Sequence, residues 1–220
     1  MSTNLHAEVE KLRAWLTTYR WVDDYDNWWS DGGIVSALQD FLTRVQPQDW
    51  SEDDVTDVLY VLEKSSTDYI AELVTQSEEM ALTIARNSLV RGGIAGDDIA
   101  EQLGCCIHRR EEVEALLVAF AKQEHERTRR MALLSLAKLQ SGAVPALAVA
   151  AWDTGDEHQR IGALSALKTI RSELFPNYLS KAQEDGRENL SSAARKYVTE
   201  LANETSPLTE RGHPAAGKTN

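Results

Sequence analysis

Cysteine is scarce in this chain of 220 residues, which holds only two. Cys105 and Cys106 are direct neighbours, and neighbouring residues of a helix point about 100° apart, which excludes an ordinary unstrained disulfide between them. No other residues lie at metal-ligand spacing around the pair. We expect two small side chains in a protein that stays in a reducing compartment.

Long apolar runs are also missing. No stretch approaches the roughly 20 apolar residues that a transmembrane helix needs. The first sixteen residues, MSTNLHAEVEKLRAWL, are charged and amphipathic and contain no cleavage site of small residues. We therefore expect a cytoplasmic protein without an export signal and without a membrane partner.

Signatures of strands and of reaction centres are absent as well. No alternation of apolar and polar residues indicates a strand, and no Asn-Gly or Asp-Gly turn lies between two such patterns. The five histidines form no HExxH pair, there is no Gly-x-Ser-x-Gly elbow, and the glycine-rich stretch 92–96 lacks the Lys-Ser/Thr of a phosphate loop. We expect a protein that is not an enzyme and that has no metal and no cofactor.

Basic residues are few in the first half of the chain. Residues 1–104 hold 20 acidic and 7 basic side chains, a net charge of −13, whereas residues 105–220 hold 15 acidic and 16 basic ones, a net charge of +1. An acidic field repels phosphate backbones and attracts basic partners. It argues against nucleic-acid binding, which needs clusters of Lys and Arg, although acidic surfaces also simply keep many proteins soluble.

Three of the four prolines of the second half, by contrast, follow a strict pattern. Pro145, Pro176 and Pro207 are each 31 residues apart, and many of their neighbours keep the same interval. A period of about 20 to 50 residues is typical of stacked repeats. The other series with this interval are Glu126, Glu157 and Glu188; Ala132, Ala163 and Ala194; Leu136, Leu167 and Val198; and Leu139, Ile170 and Leu201.

Each repeat is predicted to be a helix, a short turn and a second helix. Proline falls in the first turn of the second helix, where its missing N–H costs nothing, and Gly155 and Gly186 end that helix. A single helix pair cannot bury both apolar faces, so stacked neighbouring pairs are expected. Upstream, Ser51 and Asp54 have the spacing of a capping box at the start of another helix.

The stretch 126–170, ERTRRMALLSLAKLQSGAVPALAVAAWDTGDEHQRIGALSALKTI, resembles HEAT repeats of the short bacterial kind. The resemblance covers residues 97–204 best and implies an all-α fold, a right-handed α-solenoid of stacked antiparallel helix pairs. It also implies that the interhelical arginines support the stack. The repeat positions that carry it are Arg129 and Arg160, Ala132 and Ala163, Leu136 and Leu167, and Pro145 and Pro176.

Residues outside these repeats set the expected domain boundaries. Residues 1–50 do not match the repeat pattern and are predicted to form an aromatic-rich N-terminal helical cap. Residues 51–204 are predicted to form HEAT-like repeats. Residues 205–220 are rich in helix breakers and poor in large apolar side chains, so we expect a disordered tail.

Aromatic and acidic residues are concentrated before residue 60. Five of the six tryptophans lie in the first 50 residues, and the stretch RWVDDYDNWWSDGG alternates rings with aspartates. Rings and acidic rims of this kind bind basic partners, but the same rings could instead cover the apolar end of the array. Acids also favour the start of a helix, as after Trp50. The candidate partner-binding residues are Trp21, Asp23, Asp24, Tyr25, Asp26, Trp28, Trp29, Asp31, Asp53, Asp54 and Asp57.

These features favour a non-catalytic module that binds another protein, one of basic charge. The sharper hypothesis is a bacterial immunity protein or antitoxin that neutralises a basic toxin such as a nuclease. The HEAT resemblance leaves two alternatives open, because one scaffold serves many functions. One is a general HEAT-repeat adaptor, and the other is a HEAT-like DNA-alkylation glycosylase, which the acidity disfavours.

Overall fold

The computed structural model describes residues 4–18, 33–65, 68–92, 95–106 and 108–205. Within these ranges the chain forms α-helices and one short 3₁₀ turn, Pro47–Asp49, and no strand, so the all-α prediction is confirmed. None of the described helices is both long and apolar enough to cross a membrane. The helices are α1 Leu5–Thr18, α2 Ile34–Arg44, α3 Glu52–Lys64, α4 Asp68–Val74, α5 Glu78–Arg91, α6 Gly96–Leu103, α7 Arg110–Phe120, α8 Glu126–Lys138, α9 Val144–Asp153, α10 Glu157–Thr169, α11 Phe175–Glu184 and α12 Glu188–Thr205.

The second half has the order of helices and turns that the 31-residue interval predicts. Proline stands in the first turn of α9 and of α11. Gly155 and Gly186 follow these helices with φ angles of 77° and 79°, a left-handed conformation that glycine adopts without strain. Helix α6 ends at Leu103, and Gly104 follows it as the C-cap residue.

The first helices of successive pairs form one row. Helix α4 packs against α6, α6 against α8, α8 against α10, and α10 against α12. The second helices, α5, α7, α9 and α11, each contact the first-row helix before them and the one after them. At the N-terminal end, α1 packs against both α2 and α3. Each second helix therefore lies over the seam between two helices of the row.

Small side chains allow the row helices to approach closely. A Cβ atom added to Gly104 of the α6 terminus would lie 2.7 Å from Ser135 Oγ of α8, and one added to Gly162 of α10 would lie 2.8 Å from Arg130 Cγ. The repeated alanines, Ala132, Ala163 and Ala194, are fully buried. Larger side chains at these positions would force the helices apart, since interiors are close-packed.

Hydrogen bonds connect groups that lie about one repeat apart in the sequence. Gln159, which is 1% exposed, donates its Nε2 to the backbone oxygen of Glu126 at 2.7 Å. The backbone N–H of Leu190 donates to Glu157 Oε1 at 3.0 Å. Both bonds link the start of one row helix to the start of the next, which fixes their relative register.

The two repeat arginines contact the turns that precede their helices. Arg129 Nη1 donates to the backbone oxygens of Gln123 at 3.0 Å and of Glu124 at 2.6 Å. Arg160 Nε donates to the backbone oxygen of Trp152 at 3.1 Å. The Trp152 oxygen also accepts the backbone N–H of Gly155 at 3.2 Å. Both arginines thereby connect the chain before their helix to the first turn of that helix.

Candidate partner-binding surface

The predicted partner-binding residues fall into two groups. Eight of them, in the range 21–31, lie outside the described residues, and their role stays a prediction. The other three, Asp53, Asp54 and Asp57, lie in the first two turns of α3. The described part of the surface is therefore the start of α3 and the helices around it.

Helix α3 begins with the capping box that the sequence predicts. Ser51 Oγ accepts the N–H of Asp54 at 3.1 Å, and Asp54 Oδ2 accepts the N–H of Ser51 at 2.9 Å. These bonds satisfy backbone donors that the first helical turn leaves free. Asp54 is thus partly engaged in holding the helix start, whereas its neighbour Asp53 is exposed.

Asp57 is a buried residue, and the prediction that it belongs to an exposed binding surface is corrected. Its side chain is 4% exposed, and its carboxylate lies 2.7 Å from His6 Nδ1 and 3.4 Å from Arg13 Nη2, both of α1. The hydrogen bond and the negative charge of Asp57 raise the pKa of His6. Asp57 therefore ties α1 to α3, a role that the spacing of the acidic residues alone did not indicate.

Trp50 packs against the protein itself. Its ring centroid lies 5.5 Å from that of Phe41, at an angle of 44°, and its Nε1 donates to the backbone oxygen of Val45 at 3.0 Å. A half-buried tryptophan usually satisfies its N–H in this way. The ring thereby joins the end of α2 to the start of α3.

A groove lies where α1, α2 and α3 meet. Its volume is about 290 Å³, which is close to the lower limit, about 300 Å³, of small-molecule pockets and large enough to take a side chain of a partner. Asp40 Oδ2 accepts from Arg44 Nη2 at 3.0 Å, so the cation among the described lining residues is paired. The lining combines apolar and charged groups: Asn4, Leu5, Asp40, Phe41, Arg44, Val45 and Asp54.

No protein-family model, no curated protein and no solved structure matches this sequence. The interpretation of the groove therefore rests on its own residues. Its acidic lining residues are Asp40 and Asp54, and its apolar ones are Leu5, Phe41 and Val45. Glu52 and Asp53 precede Asp54 at the start of α3 and are exposed.

No three His, Cys, Asp or Glu side chains of the described residues converge as metal ligands would. Cys105 is exposed and Cys106 is buried, and both are free thiols. Burial raises the pKa of the Cys106 thiol to about 11, so this group is protonated and a poor nucleophile at neutral pH.

Two further cavities lie along the turns between successive helix pairs, and the sequence analysis missed both. The larger, about 410 Å³, is lined in part by Phe120, Gln123 and Thr128. The smaller, about 160 Å³, is lined in part by residues 151, 154 and 159, which follow those three by 31 positions. The two cavities are thus equivalent sites of successive repeats. The 31-residue alignment places these positions in register, but it does not show that space remains between them.

Proposed function

We propose that this chain is a HEAT-like α-solenoid that binds a basic protein without catalysing a reaction. In its sharper form the proposal is a cytoplasmic bacterial immunity protein or antitoxin that neutralises a basic toxin such as a nuclease. The observation that carries the proposal is the charge asymmetry, a net charge of −13 on residues 1–104. The groove between α1, α2 and α3, which Asp40 and Asp54 line, supports the proposal as the candidate binding site.

The order of helix contacts supports the solenoid part of the proposal. In a solenoid each repeat contacts mainly its neighbours, and here the contacts run from each helix pair to the next. Helices α1 and α2 occupy the N-terminal end of the row, where a cap would be needed to cover apolar surface. Phe41 and Trp50 contribute aromatic rings to that end.

The charge of the groove supports a basic partner. Proteins that bind nucleic acid carry clusters of Lys and Arg that contact phosphates. An acidic surface attracts such clusters over long range and accelerates association. An inhibitor of a nuclease would therefore gain both speed and specificity from exposed groups such as Glu52 and Asp53, while the apolar floor of the groove would hold the partner in place.

The proposal is tested by capture from the native lysate. The tagged wild-type chain is compared with the double variant Glu52→Gln/Asp53→Asn and with a control, Glu111→Gln/Glu173→Gln, which removes the same charge from two exposed sites of the second half. We expect the wild type and the control to capture the same basic protein and the groove variant to capture much less. Equal capture by all three would contradict the groove as the interface.

The identity of the captured protein separates the versions of the proposal. A toxic enzyme whose activity falls on addition of the chain supports the immunity hypothesis, and a toxin gene beside this one would agree with it. A captured protein without toxic activity supports the general adaptor. Release of alkylated bases from duplex DNA by the chain alone would overturn the non-catalytic proposal in favour of the glycosylase.

A further inference from the structure

The smaller of the two repeat cavities has room for a single aromatic ring. It lies where α7, α8, α9 and α10 meet and has a volume of about 160 Å³, and a dry cavity of about 150 Å³ is known to hold benzene. The polar groups in its wall are few. The lining residues are Ala121, Arg129, Leu133, Leu147, Ala150, Ala151, Thr154 and Gln159.

The chain itself fills the equivalent site one repeat later with an aromatic ring. The residues 31 positions after Ala121, Leu147 and Arg129 are Trp152, Tyr178 and Arg160, respectively. The Trp152 ring is edge-on to Tyr178 with centroids 5.0 Å apart, and Arg160 Cζ lies 5.1 Å from its centroid. Trp152 is only 6% exposed. The earlier site stays open because Ala121 ends at a methyl group.

The groups around the open site are already fixed in place. Arg129 is held by the backbone oxygens of Gln123 and Glu124, so its guanidinium needs little reordering before it stacks on a ring. Gln159 has its own partner in the backbone oxygen of Glu126. The buried polar atoms are therefore satisfied, and the cavity favours an apolar ring over a polar group.

The turns that carry lining residues of the cavity, 121–124 and 153–156, hold three acidic side chains and one basic one, and Arg129 is a second cation in the cavity wall. Glu124 and Asp153 are exposed, and Asp156 accepts the N–H of Gln159 at 2.8 Å. That hydrogen bond lowers the pKa of Asp156, which keeps it ionised at neutral pH. Lys122 is an exposed cation of the same turn. Cationic residues on either side of an incoming ring would meet complementary charge.

We propose that this cavity, the Ala121 socket, binds an aromatic side chain that is flanked by Lys or Arg in a segment of the partner protein. The ring takes the place that Trp152 occupies in the following repeat and stacks on Arg129. That the partner is a basic protein rests on the proposed function. The existence of the socket and its fit to an aromatic ring are independent of that proposal.

The wild-type chain tests the socket directly. A nuclear magnetic resonance titration of the ¹⁵N-labelled full chain uses the blocked tripeptide Lys-Trp-Lys at millimolar concentration, with Lys-Ala-Lys as its control. We expect shifts at the amides of Ala121, Leu133, Ala151 and Thr154 with the tryptophan peptide only. The absence of shifts at these amides, or equal shifts with the alanine peptide, would overturn the inference.

A variant that fills the socket gives the second test. Ala121→Trp should fold with its ring in the position that Trp152 takes one repeat later, and it should lose the peptide-induced shifts. Ala115→Trp is the matched control, because Ala115 is an exposed residue of the same helix outside the cavity. Unchanged peptide binding by folded Ala121→Trp would contradict the socket. If that variant does not fold, the wild-type titration decides the question.

Partner capture distinguishes failure of this inference from failure of the proposed function. If Ala121→Trp captures the basic partner as well as wild type while the Glu52→Gln/Asp53→Asn variant does not, the socket is not used and the groove proposal stands. If the tryptophan peptide binds the socket but the wild-type chain captures no basic protein, the socket stands and the proposed function fails.

Discussion

At the scale of single residues, Asp185 carries one of the strongest electrostatic roles in the described chain. Its carboxylate accepts hydrogen bonds from Arg187 and Arg160. These two arginines, with Arg187 the larger influence, lower the pKa of Asp185 to about 2. The side chain is 7% exposed. Asp185 thereby joins the turn before α12 to α10 and holds Arg160 over Trp152.

Replacement of Asp185 by Asn should destabilise the protein by about 1–3 kcal/mol at neutral pH, the usual cost of leaving charged hydrogen-bond partners unmatched. The pKa of Asp185 is lower in the folded protein than in the unfolded chain, where it is about 3.9. Its contribution to the free energy of unfolding is therefore fully present above about pH 3.9 and is lost as the pH falls towards 2. Urea unfolding at pH 7 and pH 3 measures the difference, which should shrink at pH 3. Asp153→Asn, an exposed neighbour, serves as the control. A pH-independent difference would contradict this role.

The contact between His6 and Asp57 gives a second prediction at this scale. The groups that raise the pKa of His6 are Asp57 first, then Glu10 and Asp53. A raised folded pKa means that the stabilisation is present below the unfolded value of about 6.5 and is lost as the pH rises through the folded value. In Asp57→Asn the pKa of His6 should fall towards its ordinary value. Proton resonances of the His6 imidazole ring report this value, and an unchanged His6 titration would contradict the contact.

At the scale of helices, close approach between α6 and α8 depends on Gly104. Gly104 has an ordinary helical conformation, with φ −63°, so a substitution there tests packing and not backbone strain. Gly104→Ala should cost about 1–3 kcal/mol because its Cβ would overlap Ser135. Gly142→Ala, with no atom within 4 Å of the added Cβ, should have little effect on the midpoint of urea unfolding. Equal midpoints for the two variants would show that the helices are not closely packed there.

The sequence predicts the local signals of these helices well and their mutual contacts poorly. Ser51 caps α3 and Gly155 ends α9 as expected, since both signals depend on a few neighbouring residues. Asp57 illustrates the failure, because the acidic pattern does not reveal that this position faces α1. Which face of a helix meets a distant segment depends on packing that one sequence leaves open. The same reason explains why the Ala121 socket was missed.

At the scale of the whole molecule, the sequence alone shows the charge asymmetry. It does not show which of the acidic side chains lie at the surface. Folding buries Asp57 and pairs Asp40, and it leaves Glu52 and Asp53 exposed directly before Asp54, which lines the groove between α1, α2 and α3. The 31-residue interval, in turn, predicts equivalent positions along the chain. Only the structure shows that Trp152 fills its site and that the equivalent site at Ala121, one repeat earlier, is open. Equivalent positions of successive repeats thus differ in their side chains, with Ala121 and Leu147 in one and Trp152 and Tyr178 in the next.

The most direct measurement of the central claim is the rate of association with the captured partner as a function of salt concentration. If the acidic first half steers a basic protein, the wild-type rate should fall steeply as ionic strength rises. The slope should be flatter for Glu52→Gln/Asp53→Asn and unchanged for Glu111→Gln/Glu173→Gln. An association rate that does not depend on salt in the wild-type protein would contradict the account.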